Sequence, residues 1–155
     1  MLAKHIMRRR VVTVSPQMTL REVAALFLEK QITGAPVTSV DGRLIGVISQ
    51  TDLVRSHREQ PAGLPSFYRP EETVIWGEGY QIQEAETAKV SDVMTPAILT
   101  ADEDAPIDRV AELMLTRKVH RIVITRAGRL AGIITTMDML RAFAKTLDKR
   151  APALP

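Results

Sequence analysis

Apolar positions recur along the chain with two periods, and they do so twice in the same order. Val11-Val12-Thr13-Val14 is a β-branched run that predicts a strand. Leu20, Val23, Ala24 and Phe27 then fall at i, i+3, i+4 and i+7, one face of a helix whose start is marked by the capping pair Thr19 and Glu22. Ala35 to Val40 and Leu44 to Ile48 are short apolar segments parted by Asp41-Gly42, which predicts a hairpin, and a last helix is expected from about Thr51 to His57. The second half runs the same way. Ile98-Leu99-Thr100 predicts a strand, and Pro106 opens a helix with Ile107, Val110, Ala111 and Met114 on one face. Arg121-Ile122-Val123-Ile124-Thr125 turns at Ala127-Gly128 into Leu130 to Ile134, and a helix is expected from about Met137 to Leu147.

Sliding the chain on itself places Met7 on Met94, Thr13 on Thr100, Leu20 on Ile107, Val23 on Val110 and Leu26 on Leu113. One residue is lost at the next turn, after which Gly42 falls on Gly128 and Asp52 on Asp138. The period of about 87 residues is too long for a solenoid and fits a duplicated small unit. Repeat one is expected at 1–57 and repeat two at 90–147, with a tail at 148–155. Each reads strand, helix, strand, strand, helix. A unit this small buries too little apolar surface alone, so the expected fold is α/β (α+β), two β-α-β-β-α repeats packed sheet to sheet. Met94, Met114, Met137 and Met139 belong to the apolar runs and are expected as core filler. Residues 58–89 match nothing in the other copy. They are acidic yet hold Phe67, Tyr68, Trp76 and Tyr80, so part of them is expected to order, with Thr73-Val74-Ile75-Trp76 and Tyr80-Gln81-Ile82 as a short hairpin.

Both copies close on one pattern. Gly46-Val47-Ile48-Ser49-Gln50-Thr51-Asp52 returns as Gly132-Ile133-Ile134-Thr135-Thr136-Met137-Asp138, a strand running into a helix. Two readings of the Ser/Thr-x-x-Asp step stand side by side. In one it is a capping box, with Ser49 or Thr135 as N-cap and the aspartate reaching back to its amide. In the other it is a nucleotide site, where helix-start amides draw phosphate and the carboxylate accepts from a ribose diol.

The chain has 155 residues and a net charge of +3 with interspersed signs, apart from Arg8-Arg9-Arg10 and the Lys145, Lys149, Arg150 cluster. That is mild for a nucleic-acid binder, and no stacking motif accompanies it. Without cysteine there is no disulfide, thiolate metal site or thiol nucleophile. No apolar run approaches the roughly 18 residues of a membrane helix, and the start lacks a signal-peptide core, so a cytoplasmic protein without membrane insertion is expected. Phosphate-loop, zinc-protease and nucleophile-elbow motifs are all missing, so ligand binding without catalysis is expected.

These residues resemble a tandem pair of CBS domains, the cystathionine β-synthase type, also called a Bateman module. Val90-Ser91-Asp92-Val93-Met94-Thr95-Pro96 and Val119-His120-Arg121-Ile122-Val123-Ile124 are typical of that family, alongside the two Gly-hydrophobic-hydrophobic-Ser/Thr-x-x-Asp closures. The resemblance implies a regulatory module that binds an adenosine-containing ligand (AMP, ADP, ATP or S-adenosylmethionine) between the repeats. It implies that Asp52 and Asp138 hold ribose hydroxyls, Ser49 and Thr135 meet phosphate or sugar, and Thr13 and Thr100 line an adenine pocket. Gly34-Ala35-Pro36 and His120-Arg121 would stand beside the ligand, with His120 and Arg121 on its phosphate. Because Thr33-Gly34 stands where the other copy has His120-Arg121, the two pockets are expected to differ. Arg8-Arg9-Arg10 is read either as charge for a phosphate or as solvated surface, and His5 and His57 as surface histidines. The resemblance also implies a homodimer and an unidentified regulated protein. The alternative is a ligand-independent dimerisation or interaction module with degenerate pockets. Nucleic-acid binding through Arg8 to Arg10 is a third class, marked by steep salt dependence.

Overall fold

The computed structural model of the chain describes residues 1–54 and 88–148. The expected hairpin at Thr73 to Ile82, the continuation of the first repeat's last helix to His57, and the tail from 149 onward lie outside the described residues.

After a single 3-10 turn, Ala3–His5, the first repeat comprises α1 (Leu20–Lys30), β1 (Gly34–Thr38), β2 (Leu44–Ser49) and α2 (Gln50–Val54). The second comprises α3 (Val90–Val93), β3 (Thr100–Asp102), α4 (Ile107–Arg117), β4 (Arg121–Arg126), β5 (Arg129–Thr135) and α5 (Thr136–Asp148). β1 and β2 are antiparallel; β4 lies between parallel β3 and antiparallel β5. The register slips at equivalent places, between Val37 and Thr38 and between Ile124 and Thr125. The lost residue is in the hairpin turns. The first uses a longer loop, with Gly42 at φ 81°, whereas Ala127 and Gly128, at φ 49° and 75°, form the two-residue turn favoured by strand twist.

α1 starts where the sequence marks it, with the Thr19 amide donating to Glu22 Oε2 at 2.7 Å and the Glu22 amide to Thr19 Oγ1 at 3.2 Å. α1 and α4 both end on a left-handed residue, Gln31 and Lys118, each at φ 53°. That conformation costs a non-glycine residue about 1 kcal/mol. It is held by bonds from the next amides, Ile32 to the Phe27 carbonyl and Val119 to that of Met114. The turn it makes delivers Thr33 and His120 to the starts of β1 and β4.

The first predicted strand is shorter than the sequence suggests. In repeat one it contracts to a single parallel bridge, Val14 on Val37, and in repeat two β3 begins at Thr100 rather than Ile98. Val11 and Val12 run instead along the wall of a cleft and, among the described residues, join no strand.

Two apolar clusters form the core. Val14, Leu20, Val23, Phe27, Val37 and Ile48 make one, and Val110, Met114, Ile122, Val123, Ile124 and Ile134 the other. Burying a side chain such as Phe27 contributes about 1.5–3 kcal/mol. The sheets pack on each other, with Val47 of β2 buried in the second cluster.

The lead-in segment of each repeat packs on the other repeat. Ala3 and Met7 belong to the cluster built by β4, β5 and α4, while Val90 belongs to that of α1, β1 and β2. Arg8 and Ile133 exchange backbone bonds of 2.9 and 3.0 Å; Thr95 and Val47 do the same at 2.9 and 3.0 Å. Lys4 closes the crossing with an ion pair to Asp104 at 2.6 Å. The crossing explains the glycine in each closing pattern. A β-carbon on Gly132 would stand 2.8 Å from the Arg8 carbonyl oxygen, and one on Gly46 3.0 Å from that of Thr95.

Met114 is buried and Met94 and Met139 pack on the clusters, as core filler should, but Met137 is 54% exposed. The helix phase decides this: α5 turns Asp138 and Ala142 inward, and Met137 shares the outer side with Leu140, Phe143 and Leu147.

Candidate functional site

Where the two repeats meet, a cleft of about 270 Å³ opens between the start of β1, the start of β4 and the end of β5. Arg8, Arg10, Val11 and Val12 enter it from the first lead-in segment, and Thr33, Gly34 and Pro36 from the start of β1. Arg121, Ile133 and Thr135 come from the second repeat. Register explains the convergence: Arg121 pairs with Thr135 in the hairpin, so the guanidinium and the hydroxyl share one end of the sheet. Arg121 Nη2 reaches Thr33 Oγ1 at 3.4 Å across the inter-repeat boundary.

Asp138 stands behind this wall, 6% exposed. Its Oδ2 accepts from the Thr135 amide at 2.9 Å and the Thr135 hydroxyl at 2.6 Å, which is the capping box. Its Oδ1 accepts from Arg8 Nε at 2.9 Å and Arg141 Nη1 at 3.1 Å. Burial alone would push this carboxyl up. The Thr135 hydroxyl and amide, and then the Arg8 guanidinium, outweigh it and hold the group below the usual carboxylate range. Asp138 is therefore an anion near neutral pH, and two of its partners line the cleft.

The matching box forms in repeat one. Asp52 Oδ2 accepts from the Ser49 amide at 2.7 Å and the Ser49 hydroxyl at 3.0 Å, and both residues are buried. Both sequence readings of Ser/Thr-x-x-Asp thus start from one geometry: a cap is present in each copy, and in the second copy it borders a cavity.

Of the residues singled out from sequence, Gly34, Pro36, Arg121 and Thr135 line this cleft; Asp138 is joined to it only through Thr135 and Arg8, and itself lines a neighbouring pocket with His5, Arg141 and Lys145. Ser49 and Asp52 hold the equivalent place in repeat one and do not line the cleft, although Ser49 pairs with the cleft residue Gly34. Ala35 points into the core of repeat one, since alternation along β1 turns it away from Gly34 and Pro36. Thr13 is half-buried and Thr100 exposed at the start of β3, and neither lines the cleft. His120 is exposed at the rim, its carbonyl taking the Thr136 amide at 3.0 Å. The basic triplet divides: Arg8 and Arg10 line the cleft, whereas Arg9 turns back to the Lys4 carbonyl at 3.4 Å. The lining by Val11, Val12 and Ile133 had no signal in the sequence beyond membership of apolar runs.

Among the described residues no group of three or more His, Cys, Asp or Glu is placed to hold a metal ion, and no helix is long and apolar enough to cross a membrane.

The family model of the CBS domain matches residues 3–59 and 90–145. The uncharacterized protein MJ1426 of Methanocaldococcus jannaschii is 35% identical over 153 residues, covering 92% of this chain and 90% of that one. The crystal structure of CBSX2 of Arabidopsis thaliana in complex with AMP superposes with a TM-score of 0.70 at 25% identity, covering 94% of this chain and 98% of that one. The CBS domain pair of protein MJ0100, solved with 5′-methylthioadenosine and S-adenosyl-L-methionine, gives 0.66 at 21% identity over 94% and 98%, a likeness of fold.

Proposed function

The chain belongs to the CBS domain family, and on that premise we propose that it is a regulatory module whose inter-repeat cleft takes an adenosine-containing ligand and conveys its occupancy to a partner protein. The observation that carries this reading is the meeting of Arg8, Arg10 and Arg121, from opposite repeats, on the walls of one cleft, where Arg8 also reaches the capped and ionised Asp138. Guanidinium groups converging on one cavity suit a phosphate, and they are worth more where the walls exclude water. Val12 and Pro36 offer an apolar wall to an adenine ring, and Asp138 has the chemistry to accept from a ribose diol. Asp52 and Ser49 would do the same for a second ligand, with Thr13, Thr100 and His120 at the edges. CBSX2, the 25% identical neighbour, was solved with AMP. AMP, ADP, ATP and S-adenosylmethionine share the adenosine on which this reading depends. The module acts by binding without turnover, in the cytoplasm.

Occupancy regulates only if the ligand distinguishes two arrangements of the repeats. The cleft meets that condition in principle, because its walls belong to different repeats.

Thermal unfolding against AMP, ADP, ATP, S-adenosylmethionine and GTP tests the reading. A ligand at 100 times its dissociation constant stabilises the native state by about 2.7 kcal/mol, several degrees in midpoint. Adenine ligands should raise the midpoint of the wild type and lose most of that effect in Arg121→Ala. No shift with any of the five would sink it.

A second reading, a dimerisation module that needs no ligand, is favoured by the outer side of α5. There Met137, Leu140, Phe143 and Leu147 are each more than half exposed. Such a row suits a second copy of the chain.

A further inference from the structure

We propose that Arg8 decides which adenosine ligand the cleft accepts, by occupying Asp138 until a ligand brings an anion to draw it away. This inference rests on the reading of the cleft as an adenosine site.

Arg8 has two separable roles. Its backbone pairs with Ile133 and helps hold the repeats together. At the repeat-related position Thr95 makes the same pairing with Val47, using a short neutral side chain. The fold therefore does not require an arginine there. Yet the guanidinium is engaged: Nε donates to Asp138 Oδ1 at 2.9 Å, its only side-chain bond among the described residues, while the side chain, about half exposed, lines the cleft.

A ribose diol that sought Asp138 would meet an occupied carboxylate. The amide and hydroxyl of Thr135 hold Oδ2, and Arg8 and Arg141 share Oδ1. A neutral nucleoside would have to displace Arg8 and leave it without an anion. A nucleotide would give the guanidinium a phosphate in the same cavity, beside Arg10 and Arg121, so the exchange replaces one charge-assisted bond by another. Arg141, on α5 itself, keeps its ion pair of 3.1 Å with Asp138 when Arg8 leaves. The related position in repeat two holds Thr95, and the counterpart of Arg10 is Ala97, so this selection belongs to one cleft.

The test is calorimetric titration of wild type, Arg8→Thr and Arg8→Gln with AMP and with adenosine. Arg8→Thr copies the residue tolerated at the related position; Arg8→Gln keeps length and a donor without charge. The wild type should prefer AMP by about tenfold or more, the range of one charge-assisted contact. In both variants AMP should weaken, adenosine should tighten several-fold, and the preference should fall by about tenfold. If one variant lacks a cooperative thermal transition, the other decides. Preferences within about twofold of wild type, or a wild type that binds both ligands equally, would overturn the role of Arg8 and leave the adenosine site standing. Binding of neither ligand to any of the three proteins would overturn the role of Arg8, and the adenosine site with it if ADP, ATP and S-adenosylmethionine also fail to bind the wild type.

Discussion

Gly132 lies beneath the backbone of Arg8, so close that a β-carbon on it would stand 2.8 Å from the Arg8 carbonyl oxygen and 2.7 Å from the Met7 sulfur. The same relation joins Gly46 to Thr95 and Met94, at 3.0 and 2.9 Å. A methionine side chain can give way, but a backbone carbonyl in a two-way bridge cannot. Gly132→Ala should therefore lower the urea midpoint, costing about 1–3 kcal/mol by overpacking, and Gly46→Ala should cost less. Unchanged midpoints in both would mean that the crossing is not tightly packed.

Asp138 contributes stability that depends on pH. Its folded-state value is depressed, so the contribution is fully present above the unfolded value of about 3.9 and is lost as pH falls through the folded one. Asp138→Asn should cost about 1–2 kcal/mol at neutral pH, the range for a cap with charged partners. Its stability should also fall less steeply than that of the wild type below about pH 4. Parallel acid limbs for the two proteins would show that this carboxylate is not a source of the pH dependence.

The outer row of α5 predicts self-association. Sedimentation at micromolar concentration should give the wild type twice the chain mass of 17.2 kDa. The double variant Leu140→Glu, Phe143→Glu should sediment as a single chain with an unchanged circular dichroism spectrum, because both side chains are more than half exposed. A wild type that already runs at 17.2 kDa would rule the row out as a dimer face.

Local features of this fold were legible in the sequence because they are carried by residues a few positions apart. The Thr19–Glu22 cap, the Leu20, Val23, Phe27 stripe and both Ser/Thr-x-x-Asp boxes each span at most one or two turns, and each formed as spaced. The cleft was legible in part. Gly34, Pro36, Arg121 and Thr135 were implied by the resemblance to CBS pairs, but the pairing of Arg8 with Asp138 joins residues 130 positions apart. Nothing local records it, because it depends on the first lead-in segment crossing to the second repeat. Met137 misled for a simpler reason. An apolar residue next to a buried aspartate on a helix is about 100° away from it, and here that rotation leads to the surface.

The exchanged lead-in segments also bear on the order in which the molecule can be made. As the chain is synthesised from its amino end, α1, β1 and β2 emerge early, yet their cluster is incomplete until Val90 and Thr95 follow. Ala3, Met7 and Arg8, which emerge well before the second repeat, have no docking surface until β5 has been added. Contacts of such long sequence separation are slow to form. The first repeat must wait on the ribosome with an open edge, and the lead-in segment that lines the cleft is among the last parts to settle.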